Sequence, residues 1–594
     1  MIPASFGAVH HAATTPTTSG QEWAAADVLE VPFTAPGGTG PLTWGQRALW
    51  LTMTRHGQKA YIFNVRHILG VASGRSVQDV ADAIRTLVQR HHGLVTRFPR
   101  YTTDPHQEVA EHGTIRLTVH AATVEEAECV AAKVRDEADR NFRHEDEWPV
   151  RFALVLADGA PRHLVMVFSH LVIDAAGLLI VADELGRLLG GQALPTTEGT
   201  WNSLELAEYE QSTAGKARSA AATRYWRDVM LGCPSTIFDF AMLDPDPYRS
   251  WGLRMVSPAV AVSAGRIAKQ HRCSTSAVIL AAVSAVLGHY TGHSRIPMHT
   301  IASNRWRPQV LRMVSQLSQH GTLSVTLDDM SFGDLAKATW KRALTCYQTA
   351  AYDPLEQERE AKAVEQLHGY IGWNVFLNDV RRTDGWPRQP MVADTENALT
   401  DLCASTNIEV VRRWNEQGLT FNFTVFDTEE HATVSLDFDT AFIPERVARQ
   451  MLTGMESLLV QAAGRVVRLD EVGAITGIAP IDRGEGWARV DGVGWLALVE
   501  IADLVAEVPD VVRCAVFVEP AGPTAASGRL VAYLVTTRSD VTPELVHDHV
   551  CSRLDGRIGV KAPQHYVLCA GPPTDDSHAA WRSRPVLMSG GGRC

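Results

Sequence analysis

The chain has 594 residues, of which 45% are hydrophobic and 21% charged, and its formal net charge is -12. This length exceeds one ordinary core, so we expect three globular units with the composition of a well-packed protein. The negative charge offers no general attraction to nucleic acid or to a membrane surface, so neither is expected as a partner. An acidic partner protein would need a local basic patch, which the sequence does not locate.

The nine cysteines are scattered, without CxxC pairs or regular spacing. This pattern argues against a zinc site or a disulfide framework, and we interpret the cysteines as small buried side chains in a reducing cytoplasm. The N-terminal stretch lacks a basic start followed by an apolar core, and no run of about 18 uninterrupted apolar residues occurs. We therefore expect a cytoplasmic protein without a membrane span.

In chain order, residues 1–38 are predicted to be a flexible tail that ends in the turn-rich segment APGGTGP. Apolar spacing then alternates between two periods, with helices predicted over 41–55, 77–98 and 123–142 and strands over 115–122 and 150–158. Segments of both kinds interleave along the chain. The sequence therefore predicts an α+β fold.

A strand-to-helix junction at 169–174 is the most informative part of the sequence. Residues 164–168 form a short apolar stretch typical of a buried strand, and residues 175–189 have helical spacing. Side chains at such a junction lie at the end of a sheet, where a rigid strand positions them beside room for substrate. His170 could act there as a general base, and Asp174 could hold the loop by pairing with a basic group. A hydrogen-bonded structural histidine is the alternative.

The segment SHLVIDAAG at 169–177 resembles a variant of the HHxxxDG signature of nonribosomal peptide synthetase condensation domains and their chloramphenicol acetyltransferase-like relatives. Further segments similar to that family follow the family's order, at 41–50 (PLTWGQRALW), 90–98 (RHHGLVTRF), 224–226 (RYW), 300–308 (TIASNRWRP) and 421–459. Together they cover about 40 to 470. The resemblance implies two acetyltransferase-like lobes joined in a V-shaped pseudo-dimer, at 39–232 and 233–470, followed by a linker at 471–485.

The resemblance also implies a chemistry. His170 matches the second histidine of the signature, which positions or deprotonates an acceptor amine, or less often a hydroxyl. The donor would be an acyl or aminoacyl thioester on the phosphopantetheine arm of an acyl or peptidyl carrier protein. Asp174 matches the aspartate that forms a structural clasp with an arginine, here Arg305. A free-standing amide-forming enzyme of antibiotic biosynthesis is expected, with a small-molecule acceptor and no bound metal or cofactor.

Two residues depart from the signature, because Ser169 replaces its first histidine and Ala175 its glycine, with Gly177 two residues later. Serine can still donate and accept hydrogen bonds. Alanine is unfavourable at 175 if that position needs a positive φ, unless the loop has shifted and Gly177 takes over. These departures leave two alternatives open: an inactive domain that recruits a carrier protein or tailoring enzyme, and a coenzyme A-dependent acyltransferase that uses the same histidine.

Other conspicuous residues receive no catalytic role. His320 is most simply a structural or solvated histidine, and we do not assign it. His91 and His92 suggest a metal site at first sight, but they fall within the RHHGLVTRF segment, where Arg90 and His91 are expected to be scaffold. Arg47 is interpreted in the same way.

The stretch 486–588 has a different character and precedes a predicted tail at 589–594. Its pattern predicts helix, strand, turn, strand and helix, and it resembles the small C-terminal subdomain of adenylation enzymes. Residues 572–587 contain no lysine where that family has its catalytic one. We therefore expect a non-catalytic remnant.

Overall fold

The computed structural model describes residues 27–99, 104–241, 246–368, 371–381, 396–415, 419–426, 431–490, 493–520, 528–554 and 557–591. Two α+β lobes and a smaller α+β unit follow one another along the chain. Each of the three encloses an apolar core of its own. The predicted α+β class is confirmed.

The N-terminal lobe is a mixed sheet with helices on both faces. Its elements are β1 (Asp27–Thr34), β2 (Gly38–Pro41), α1 (Trp44–His56), β3 (Val65–Gly70), α2 (Val77–Arg90), β4 (Thr96–Arg97), β5 (His106–Val109), β6 (His112–Ala122), α3 (Ala127–Ala138), β7 (Val150–Ala157), β8 (Ala160–Phe168), α4 (Ala175–Leu189), α5 (Ser203–Gln211) and α6 (Thr213–Gly232). The main sheet has the order β1-β6-β7-β8-β3, and β2-β5-β4 form a small second sheet. Alternation along β8 directs Met166 and Phe168 to the α2 and α4 side, and Val165 to the α3 side.

The assignment of residues 1–38 to a flexible tail is wrong for residues 27–38. Strand β1 pairs with β6 along its whole length, from Asp27 opposite Val119 to Thr34 opposite His112. Val31 and Phe33 of this strand lie in the core of the lobe. The alternation of apolar and polar residues in DVLEVPFT is typical of a strand. The Gly- and Pro-rich segment that follows it forms only a turn. Residues 1–26 lie outside the described residues.

The C-terminal lobe is a larger sheet backed by helices. Its elements are β9 (Ser250–Ser257), α7 (Pro258–His271), α8 (Thr275–Thr291), β10 (Arg295–Ala302), α9 (Pro308–Leu311), β11 (Gln319–Thr326), α10 (Phe332–Gln348), α11 (Pro354–His368), β12 (Val375–Asp379), α12 (Glu396–Cys403), β13 (Asn407–Trp414), β14 (Phe421–Phe426), β15 (Ala432–Asp439), α13 (Glu445–Gly464) and α14 (Val472–Thr476). The strand order is β11-β10-β12-β14-β15-β9-β13. In the described part of the chain no single helix is long and apolar enough to cross a membrane; α7 and α8 pass that test only as a pair bent by 106°.

A segment of the C-terminal lobe, residues 312–318, inserts into the N-terminal lobe. Val314 belongs to the N-terminal core. A Cβ atom at Gly45 would lie 2.4 Å from the Gln316 carbonyl oxygen, and one at Gly93 would lie 3.1 Å from that of Val314. The two backbones therefore approach as closely as glycine permits. This insertion positions the C-terminal lobe against the junction between β8 and α4.

The C-terminal unit comprises β16 (Trp487–Val490), β17 (Gly494–Ala497), α15 (Leu498–Ala506), β18 (Val511–Pro520), β19 (Gly528–Thr536), α16 (Pro543–Cys551), β20 (His565–Cys569), α17 (His578–Arg582) and β21 (Val586–Gly590). Helix α15, strands β18 and β19 and helix α16 confirm the predicted order, while the turn at 521–527 lies outside the described residues. The predicted linker at 471–485 is wrong in part, because α14 packs against α13 and α8. The predicted tail at 589–594 is wrong for its first two residues, which pair in β21.

A buried charge network fixes the segment that leads into this unit onto the C-terminal lobe. Asp239 accepts hydrogen bonds from the Arg483 guanidinium at 2.6 and 2.9 Å and lies 2.8 Å from His293 Nε2. All three side chains are buried. Arg483 also lies over the ring of Trp495, whose Nε1 donates to the Gly292 carbonyl oxygen at 3.2 Å. The unit is therefore docked by directional contacts.

Substituting Asp239 with alanine should destabilise the chain by about 3–5 kcal/mol, because it leaves the Arg483 charge buried and unpaired. Denaturant unfolding with a probe in each lobe measures this loss. Asp470→Ala is the control, since Asp470 is 75% exposed and pairs only loosely with Arg468. Equal unfolding curves for the two variants would contradict a structural role for the network.

Candidate active site

The junction between β8 and α4 presents the predicted catalytic segment at the end of the N-terminal sheet. Strand β8 ends at the buried Phe168, and Asp174 caps α4 by accepting a hydrogen bond from the Gly177 backbone N–H at 2.8 Å. A short polar residue is favoured at this capping position. The structure thus brings Ser169, His170 and Asp174 onto one tight loop between a buried strand and a helix.

The hydrogen bonding of His170 defines its protonation state. Its Nδ1 lies 2.7 Å from the Ile173 carbonyl oxygen. Because a carbonyl oxygen can only accept, Nδ1 carries the proton. Burial lowers the pKa of His170 below its usual 6.5, against the opposing effects of the Asp174 carboxylate and of backbone hydrogen bonds. The ring is therefore neutral at pH 7, and Nε2 holds the lone pair that a general base needs.

Ser169 contacts a histidine that sequence reasoning did not identify. The Ser169 Oγ lies 2.7 Å from His144 Nε2 and accepts from the Leu171 backbone N–H at 3.3 Å. Since both Ser169 and His144 are buried, an imidazole still lies beside the position of the first signature histidine. No spacing rule connects residues 144 and 169, so this contact could not be derived from the sequence.

Asp174 joins the two lobes through Arg305. The Arg305 guanidinium donates two hydrogen bonds to the carboxylate, both at 2.7 Å. Ser318 Oγ donates a further one at 3.0 Å, and the Leu317 N–H donates at 3.3 Å. Burial alone would raise the pKa of Asp174, but the charge and hydrogen bonds of Arg305 and the hydrogen bond from the Gly177 N–H lower it. The carboxylate is therefore ionised and clamps the C-terminal lobe onto the loop that carries His170.

The two substituted positions of the signature have distinct environments. Ala175 is the first residue of α4, is exposed and has no positive φ, so alanine is not strained there. Gly177 is buried, and a Cβ atom on it would lie 3.0 Å from Ile173 Cγ1 and 3.7 Å from Val314 Cα. A side chain at 177 would therefore crowd the Ile173 side chain of the same loop, whereas the inserted segment lies at an ordinary contact distance.

A second charge cluster supports α4 from behind. Glu184 is fully buried and contacts Arg90 at 2.9 Å, His91 at 2.7 Å and Arg312 at 3.2 Å. Burial alone would raise its pKa, but the hydrogen bonds from His91 and Arg312 and the Arg90 charge hold it at about 2. Arg90 and His91 therefore act as scaffold, as expected from the sequence, and Arg312 adds a second bridge between the lobes.

We expect Glu184→Gln to flatten the acid unfolding profile. Because its folded pKa of about 2 lies below the usual 4.5, the carboxylate stabilises the fold above about pH 4.5, and this stability is lost as the pH falls toward 2. The contribution is about 2 kcal/mol after allowance for screening at the partly exposed Arg312. Urea unfolding at pH 7 and pH 3 measures it. Asp183→Asn on the exposed face of the same helix is the control, and parallel profiles would contradict the prediction.

The remaining histidine of interest lies in an aromatic cluster on the C-terminal sheet. The His320 ring lies 5.3 Å from that of Phe376 and 6.1 Å from that of His299, which stacks on Trp226 at 5.6 Å. Burial lowers the pKa of His320 to about 4. Burial and the neighbouring His320 lower the pKa of His299 to about 3. Both rings are neutral at pH 7. Among the described residues no cluster of three or more His, Cys, Asp or Glu could hold a metal ion.

A narrow pocket between the lobes lies beside the clasp. Thr43 and Glu210 line it from one side, and Asn304, Leu317 and Gln319 from the other. Burial and the charge of Asp353 raise the pKa of Glu210 well above its usual value, despite a hydrogen bond from the Trp44 N–H. The carboxyl group in the pocket therefore takes up a proton more readily than an exposed glutamate does. Glu210 has ordinary helical spacing in α5, so the sequence carries no signal for this burial.

The condensation domain family model matches residues 38–467. The chain therefore belongs to the condensation domain family. Curated relatives include phosphinothricin tripeptide synthetase PhsC of Streptomyces viridochromogenes, 25% identical over 50% of this chain and 28% of that protein, and surfactin synthase subunit 1 of Bacillus subtilis, 22% identical over 65% of this chain and 10% of that protein. The chain thus matches at most about a quarter of these relatives' lengths. The unit at 486–591 lies outside the family match.

Solved structures agree on the fold. The condensation domain of the Monacolin K polyketide synthase MokA aligns over 73% of this chain and 99% of its own, with a TM-score of 0.57 and 15% identity. The X-domain from teicoplanin biosynthesis aligns over 72% of this chain and 96% of its own, with a TM-score of 0.53 and 16% identity. The chloramphenicol acetyltransferase-like architecture of the two lobes is confirmed.

Proposed function

We propose that this chain catalyses acyl transfer from a carrier-protein thioester to an amine, forming an amide in nonribosomal peptide-type biosynthesis. The main support for this proposal is the neutral state of His170. Its Nδ1–H donates to the Ile173 carbonyl oxygen, and its Nε2 retains a lone pair. A half-buried imidazole in this tautomer is prepared to accept a proton from a nucleophile. Ester formation with a hydroxyl acceptor uses the same geometry, and so does transfer from coenzyme A.

In the proposed reaction the acceptor nitrogen attacks the thioester carbonyl carbon and transfers one N–H proton to His170 Nε2. The new C–N bond forms as the C–S bond breaks, and the departing thiolate receives the proton, so the imidazole returns to its neutral state. The thioester is already activated, and holding the reactants together supplies most of the acceleration. We therefore expect no need for a metal or redox cofactor, and the proposed setting is the cytoplasm.

A second candidate is a recruitment domain without catalytic activity. It is favoured by Ser169 in place of the first signature histidine and by the similarity to the X-domain, which is known in complex with OxyB. In that case the fold and the clasp would be retained, and His170 would have no effect on a reaction.

One experiment separates the two candidates. The full chain is incubated with acyl-loaded peptidyl carrier domains and a panel of amines, and the amide product is followed by mass spectrometry. Product that depends on His170 supports catalysis. Carrier binding without turnover across the panel, together with capture of a tailoring enzyme, supports recruitment and contradicts the acyltransferase.

The C-terminal unit is proposed to be a non-catalytic remnant of an adenylation-type subdomain. The order α15, β18, β19 and α16 and the absence of lysine from 572–587 support this. The contacts of Trp495 with Arg483 and with the Gly292 carbonyl oxygen suit a spacer held at a fixed position.

A further inference from the structure

An aromatic and cationic surface spans the two lobes beside the clasp. We call it the Trp306 patch, and it consists of Trp201, Tyr209, Arg218, Trp306 and Arg307. The Arg218 guanidinium lies 3.7 Å from the centre of the Trp306 ring, and that of Arg307 lies 4.4 Å from it and 4.1 Å from the centre of the Tyr209 ring. The Trp306 side chain remains 38% exposed. Arg305, the preceding residue, holds Asp174, so the patch adjoins the active site.

The two guanidinium groups of the patch have no carboxylate partner within the described residues. Arg218 donates to the Gln348 carbonyl oxygen at 2.9 Å and Arg307 to the Tyr209 hydroxyl at 2.8 Å, and both of these acceptors are uncharged. Nearby arginines differ, since Arg227 pairs with Glu360 at 3.0 Å and Arg312 with Glu184 at 3.2 Å. The patch therefore carries positive charge that the described part of the chain does not compensate.

The two charges also repel one another. Burial lowers the pKa of Arg218, and the neighbouring Arg307 charge lowers it further, against the opposing effect of Tyr209. In addition, Arg218 Nε is buried and lacks a hydrogen-bond partner among the described residues. An incoming anion beside the two guanidinium groups would relieve this repulsion. Stacking on the aromatic rings holds the guanidinium groups in place, which reduces the entropy lost on binding.

The composition of the patch fits a protein partner. Tryptophan, tyrosine and arginine are the side chains that dominate binding energy at protein interfaces, and an exposed indole between lobes offers an anchor. The chain as a whole has a net charge of -12, so a local positive surface would direct an acidic partner to this place and away from the rest.

We propose that an acidic carrier protein docks on the Trp306 patch, with its carboxylates on Arg218 and Arg307 and an apolar side chain on Trp306. This rests on the proposed function for the choice of partner. Docking here brings the carrier to the lobe junction at which Arg305 and Asp174 hold the His170 loop. The contact is small, so it belongs to the weak and transient class of interfaces.

The test measures binding of an acidic apo peptidyl carrier domain, which lacks the phosphopantetheine arm, to the full chain by calorimetry at low salt. Arg218→Glu combined with Arg307→Glu should weaken binding about 10- to 100-fold, and the loss should shrink at high salt. Arg446→Glu is the matched control, because Arg446 is an exposed arginine whose guanidinium bonds the Gln450 side chain. It should bind like the wild type.

Several results would overturn the proposal. Unchanged binding in the double variant would do so, and so would an equal loss in the Arg446 control, which would reveal a general charge effect. Weaker binding of free 4′-phosphopantetheine with unchanged apo-carrier binding would reassign the patch to the phosphate of the arm. Amide formation by the wild-type chain with an acyl-loaded carrier is measured in parallel. Binding that depends on the patch in a wild-type chain that forms no amide would retain the docking site and contradict the acyltransferase.

Discussion

His170→Ala is expected to lower kcat for amide formation by about 100- to 10 000-fold, the usual range for loss of a general base. The wild-type ring is neutral and half-buried, with Nδ1–H bonded to the Ile173 carbonyl oxygen. Alanine removes the proton acceptor and leaves the carrier-binding surfaces intact, so KM for the loaded carrier should change little. His163→Ala is the matched control, since His163 lies on the same strand β8 but outside the candidate site.

The pH dependence gives an independent measure of the same group. Because burial lowers the pKa of His170 below 6.5, the lone pair on Nε2 survives into mildly acidic solution, and the acid limb of kcat should fall below pH 6.5. Equal turnover by the wild type and His170→Ala, or a limb well above pH 6.5, would contradict the assignment of His170 as the base.

Asp174→Ala is expected to destabilise the protein by about 3–5 kcal/mol, because it leaves the Arg305 guanidinium buried without its counter-charge. The same change removes the acceptor for Ser318 Oγ and for the Gly177 N–H, so α4 loses its N-terminal cap. Urea unfolding at pH 7 measures the loss. Asp183→Ala, on the exposed face of α4, is the control and should change stability by less than about 0.5 kcal/mol.

A double-mutant cycle separates the pair from its surroundings. Once Asp174 is alanine, the further change Arg305→Ala should cost much less than it does in the wild type, because the two side chains interact directly at 2.7 Å. Additive losses would contradict a clasp. Normal stability combined with lost turnover would instead make Asp174 a participant in the reaction.

The local chemistry of the active segment could be predicted from the sequence. The apolar stretch before Ser169 and the helical spacing after Asp174 predict a strand and a helix, and the structure has β8 end at Phe168 and α4 begin at Ala175. These features depend on neighbouring residues only, which is why periodicity detects them. The same reasoning failed for residues 27–38, where a turn-rich end concealed a strand whose partner β6 lies far along the chain.

Contacts between distant segments could not be predicted in this way. Three features depend on which helices and loops meet after folding. They are the contact of His144 with Ser169, the position of Glu184 between Arg90 and Arg312, and the lack of a carboxylate partner for Arg218 among the described residues. The resemblance to condensation domains suggested one such contact, between Asp174 and Arg305, because a family signature carries tertiary information that periodicity lacks.

The sequence by itself determined the α+β class, the order of the elements around the junction and the position of His170 between a strand and a helix. It could do so because strand and helix periods and capping preferences act over a few residues. The folded structure was needed to show that the His170 ring is half-buried and neutral, that Gly177 fits closely against the Ile173 side chain, and that positive charge collects at Trp306. Burial and charge depend on everything packed around a group, and those neighbours come from both lobes.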